Sequence, residues 1–99
     1  MTVPLHNLPA KALGHTQLTV SSTAVALPNI PERAQRTVIR TLGQPINWTD
    51  HQGGTPTGST GMALLADEVL VYDGDPYHVR LILDSSATGD ADVRVAYYE

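Results

Sequence analysis

The 99-residue sequence has no cysteine, no phenylalanine and a single tryptophan. Without Cys there is no disulfide scaffold, thiolate metal site or Cys nucleophile, and the redox compartment stays open. Aromatics are reduced to Trp48 and four Tyr, so Val, Leu, Ile and Ala must build the core. Basic residues are scarce: 6 Lys+Arg stand against 10 Asp+Glu, a formal net charge of −4. Phosphate contacts need clustered Lys and Arg, so this balance argues against nucleic-acid binding. Arg33, Arg36 and Arg40 form the one basic cluster. At strand spacing Arg36 and Arg40 share a face and Arg33 lies on the other, which reads as a solvated or partner-facing surface. No apolar run approaches the ~18 residues of a membrane span. The N-terminal MTVPLHNLPAKALGH lacks the charged start and apolar stretch of a signal peptide. Neither membrane attachment nor signal-directed secretion is expected.

What is present fits one domain. A 41% apolar fraction is that of a folded chain. Residues 1–14 carry Pro4 and Pro9 without a period of 2 or 3.6, and read as an extended arm. Leu5, Leu8 and Leu13 suggest that the arm docks on something. Residues 15–99 read as a single β domain. Short alternating or β-branched runs are expected at 15–20, 23–27, 35–42, 46–49, 62–65, 68–72, 77–83 and 91–98, with turns every 8–12 residues. The 35–42 and 46–49 runs read as a hairpin turned by Gly43-Gln44-Pro45. Residues 50–61, DHQGGTPTGSTG, read as a long loop unable to pack. Tyr77 and Tyr97 fall on the core parity. Residues 31–34 have the makings of one helical turn. The expected class is all-β: a small antiparallel sandwich or barrel of about eight strands, jelly-roll-like, with an N-terminal arm.

Catalytic constellations do not emerge. The four His, at 6, 15, 51 and 78, lack the spacing that places metal ligands on one face. Asp73/Asp75 and Asp90/Asp92 lack the remainder of a calcium-loop pattern, and turn aspartates ordinarily bond their own backbone. The Gly-rich segment lacks a P-loop's terminal Gly-Lys-Ser/Thr, and no Gly-x-Ser-x-Gly elbow exists. No enzyme activity, metal or cofactor is expected. Trp48 divides between core plug and contact residue. Tyr98, opposite in parity to Tyr97, is the better contact candidate.

One pattern is more specific. It starts with a strand ending at Ala24–Leu27-Pro28, followed by Arg36-Thr37-Val38-Ile39. Gly43–Ile46, Trp48-Thr49-Asp50 and Gly54-Thr55-Pro56-Thr57 come next, then Gly61 with Leu64. Tyr72-Asp73-Gly74-Asp75, an Arg80-containing strand and a terminal Val-x-Val-x-Tyr-Tyr complete it. Over residues 18–98 this resembles small structural proteins of tailed-phage and prophage particles. The resemblance implies a non-enzymatic virion component, assembled in the bacterial cytoplasm. It would decorate the capsid or associate with the head, binding the major capsid protein or other virion proteins. A homo-oligomer is expected, a trimer favoured. The arm leucines, loop 50–61, Trp48 and Tyr98 would make contact. A tail or head–tail connector component is the alternative. A small carbohydrate-binding module using Trp48 and tyrosines as stacking platforms is a further one.

Overall fold

The structure is a computed structural model that describes residues 11–51 and 54–99. Eight strands form: β1 (Ala12–Val20), β2 (Val25–Ala26), β3 (Arg36–Leu42), β4 (Ile46–Thr49), β5 (Met62–Leu64), β6 (Val69–Tyr72), β7 (Arg80–Leu83) and β8 (Ala91–Tyr98). They build two four-stranded antiparallel sheets, ordered β1-β8-β3-β6 and β2-β7-β4-β5. Neither sheet closes on itself, so the fold is a sandwich and not a barrel. Ladders join β1 to β8, β2 to β7, β3 to β6 and β4 to β5. That is the pairing of a long hairpin rolled over on itself, the jelly-roll arrangement.

Alternation explains which side chains meet between the sheets. In β8, Ala91, Val93, Val95 and Tyr97 are buried while Asp92 and Arg94 face out. In β3, Thr37, Ile39 and Thr41 are buried while Arg36 and Arg40 face out. Val20, Leu27, Ile46, Leu64, Val79 and Leu81 fill the rest of the core. With no Phe available, Tyr97 is the largest fully buried side chain. Its hydroxyl donates to the Pro28 carbonyl at 2.6 Å, so the phenol is paired as well as packed. Thr41 Oγ1 likewise donates to the Gln44 carbonyl at 2.7 Å. The Thr37 hydroxyl is buried without a hydrogen-bond partner among the described residues.

The structure departs from the sequence reading at five places. First, β1 begins at Ala12, so Leu13 belongs to a strand and packs against the core. Leu5 and Leu8 lie outside the described residues. Second, β3 and β4 are not a hairpin, because they belong to opposite sheets. Gly43, at φ +79°, turns the chain from one sheet to the other, and its amide donates to Asp67 Oδ1 at 3.1 Å. Third, Pro76–His78 is a 3-10 turn and not the start of β7. Asp75 caps it, accepting from the Tyr77 amide at 2.9 Å, and Tyr77 is thrown outward, 58% exposed. Fourth, residues 31–34 form a turn without helix, closed by an Ala34 amide to Pro31 carbonyl bond of 3.2 Å.

The fifth departure is the loop. Within it, residues 54–60 pack on the outer face of the second sheet. Asn47 is the anchor: its side-chain amide donates to the carbonyls of Thr57 (3.0 Å) and Gly58 (3.1 Å). Thr49 Oγ1 donates to the Gly54 carbonyl, and the Ser85 amide donates to the Gly58 carbonyl. Pro56 is fully buried. At Gly61 (φ +114°) a Cβ would sit 3.1 Å from the Trp48 carbonyl and 3.2 Å from Pro56 Cβ. Covering this face breaks the alternation of β4 and β7. Ile46 and Asn47 are both buried, as are Leu81 and Ile82, and Asn47 is the register partner of Ile82.

Candidate interaction surface

The loop covers the outer face of one sheet; among the described residues, nothing covers that of the other, the bare face. On the bare face, strand registers set side chains in rows across β6, β3, β8 and β1. Val71, Val38, Ala96 and His15 form one row; Val69, Arg40, Arg94 and Gln17 form the next. Arg36 and Tyr98 flank the first row on β3 and β8. Val38, Arg40, Arg94, Ala96, His15 and Gln17 line an open depression of about 500 Å³.

The electrostatics of this face are uneven. Arg94 forks onto Asp92, Nε to Oδ1 at 3.0 Å and an Nη to Oδ2 at 2.9 Å. Arg36 grips Asp73 in the same way, at 2.7 and 3.3 Å. Each fork holds its carboxyl below the usual range and its guanidinium above. Asp84 is held low too, first by the Ser86 amide and then by the Ser86 hydroxyl. Stabilisation from such depressed carboxyls is present above their ordinary value near 4 and is lost as pH falls below it. Arg40 stands directly opposite Arg94, yet none of the ion pairs among the described residues includes it. Like charges facing across a ladder repel. A chain of net charge −4 thus keeps an uncompensated cation in the middle of its open sheet face.

A second feature lies on one side of the sandwich. Among the described residues, Met62, Leu65, Val69, Val71 and Tyr77 are the large apolar side chains more than half exposed. Four of them lie on β5, on β6 or in the turn between, where the two sheets have their edges together.

The residues expected to make contact are scattered by the fold. Tyr98 lies on the bare face, half-buried. Leu13 is half-buried against the core. Trp48 also packs on the core, its ring 6.0 Å from that of Tyr72 at an interplanar angle of 70°. That edge-to-face pair ties β4 to β6 across the sandwich, and Trp48 is accordingly a core-edge residue. Burial, then a neighbouring Asp50, raise the Tyr72 phenol above its ordinary pKa. No group of three or more His, Asp or Glu among the described residues is placed to hold a metal ion. Sequence reasoning missed Val38, Val69, Val71, Met62 and Leu65. Val69–Tyr72 is apolar on both faces, a pattern that does not mark an edge strand; the topology places it at one.

No family model matches the chain, and no curated protein matches it. One solved structure, described as "Bacillus endospore appendages form a novel family of disulfide-linked pili", aligns over 99% of this chain and 97% of its own. The identity is 12% and the TM-score 0.42. A likeness that distant says nothing about what this chain does.

Proposed function

We propose that the chain is a non-enzymatic component of a phage particle, a capsid decoration or head-associated protein that binds shell subunits. The observation that carries the reading is the bare sheet face, where an apolar row runs beside the unpaired Arg40. A shallow face with an apolar strip and an arginine suits a protein surface, since Arg is enriched where proteins meet. The residue pattern over 18–98 supports the phage setting. Many copies on a symmetric shell let a modest single contact hold through avidity. The Trp48–Tyr72 packing disfavours the carbohydrate reading, because Trp48 is engaged with the core.

The test is binding of the purified protein to shells, with electron microscopy of labelled particles. Arg40→Glu should lower shell affinity roughly tenfold, as reversal of an interfacial charge does. Deleting residues 1–10 should lower occupancy further if the arm docks. Full occupancy by the Arg40→Glu variant would remove the bare face from the contact. Density on the tail or neck would replace the head assignment with the connector one.

A further inference from the structure

The four sheet edges are not equally protected. β2 and β5 have two and three residues, too short to template another chain. β1 is long, but its register shifts between Ala12 and Gly14, and His15, Gln17 and Thr19 point outward from it. Irregularity and polar side chains both discourage pairing. β6 has neither protection. Val69–Tyr72 contains no Pro, Lys or bulge, and among the described residues it pairs only with β3. Its outward side chains, Val69 and Val71, are 52% and 55% exposed. The carboxylates on either side of it would ordinarily repel a second edge, but both are engaged in their own chain. Glu68 accepts from the Leu65 amide at 2.7 Å, and Asp73 is held by Arg36.

We propose that β6 pairs antiparallel with β6 of a second copy about a two-fold axis at Val71, joining the two bare faces into one eight-stranded sheet. Charge and pattern select this register. With Val71 opposite Val71 of the second copy, the apolar rows join as Ala96-Val38-Val71 followed by the same three in reverse. Val69 then faces Asp73 of the second copy. Arg40, the register partner of Val69, reaches that carboxylate across two strand spacings, about 10 Å. The unpaired cation and the exposed valines are satisfied by one contact. Shifting the axis by one residue, to Leu70, would instead run each apolar row into the arginine row. Met62 and Leu65 lie on the same side and close over the seam. This contact draws on the same apolar row and Arg40 as the particle reading, but its test is separate, because it needs only the purified chain.

The absence of cysteine makes the register directly testable. At micromolar concentration the full chain should sediment at twice its 10.6 kDa mass. Val71→Lys should sediment as a monomer with an unchanged circular dichroism spectrum, and Gln17→Lys on the β1 edge should remain a dimer. Under mild oxidation Val71→Cys should form a disulfide-linked dimer, since directly opposed residues satisfy disulfide geometry. Val69→Cys should not, because its symmetry mate lies roughly 13 Å along the strand. A monomeric or trimeric wild-type chain would overturn the proposal. So would a dimer indifferent to Val71→Lys, or equal cross-linking by the two cysteine variants.

Discussion

Tyr97 supplies the bulk that phenylalanine would bring to another core, and it adds a hydroxyl that the fold has to satisfy. Burial, and secondarily the nearby Tyr77, push its phenol up to about 12. Its ordinary value is near 10. The folded state therefore holds this proton more tightly than the unfolded chain. The resulting stabilisation is complete below pH 10 and is lost as pH rises through 12. Two units correspond to about 3 kcal/mol. Tyr97→Phe should cost about 1 kcal/mol at neutral pH, by leaving the Pro28 carbonyl without its donor. It should also flatten the fall in stability between pH 10 and 12. Urea denaturation at a series of pH values measures both, and an alkaline slope unchanged by the substitution would refute the assignment. Tyr97 was legible from parity because it lies within β8, in an unbroken alternation. Tyr77 shares that parity in the sequence but lies just after Asp75-Pro76. There the proline fixes φ and the aspartate caps a 3-10 turn, so parity stops counting.

At the level of elements, all eight runs expected from alternation and turn residues appear, most within two residues of their predicted ends. Local pattern reports which residues are extended. It is silent on which strands pair, because an apolar side chain facing the core looks the same from either sheet. That is why β3 and β4 read as a hairpin. The loop was opaque for another reason: its packing depends on Asn47, ten residues from the nearer carbonyl it grips. Asn47→Ala should destabilise the domain by about 2 kcal/mol, since two hydrogen bonds to a buried side chain are lost. Amide exchange across 54–60 should quicken, while the β3–β8 ladder stays protected relative to it. Uniform exchange across both segments would mean that the loop is not held through Asn47. One element thus closes the outer face of its sheet, and its absence from the other sheet leaves the candidate interaction surface open.

Taken whole, the chain crosses between sheets at every connection except the one joining β4 to β5. The innermost pair is therefore made by neighbours in sequence and the outermost by the first and last strands. Ala12 pairs with Tyr98, and the Glu99 amide donates to the Lys11 carbonyl at 2.8 Å. That nesting sets a clock on folding. The β1–β8 ladder rewards the chain only after nearly its whole length has been looped, an entropy that must be met before the contacts repay it. A permutant that joins Glu99 to Met1 and opens between Ala87 and Thr88 turns this last, slowest closure into a local one, β8 and β1 then being separated by only residues 99 and 1–11. It should refold roughly tenfold faster in stopped-flow experiments, by the logarithmic dependence of closure on loop length. Equal rates would mean that the rate-limiting event lies in the middle of the chain, where β4 meets β5.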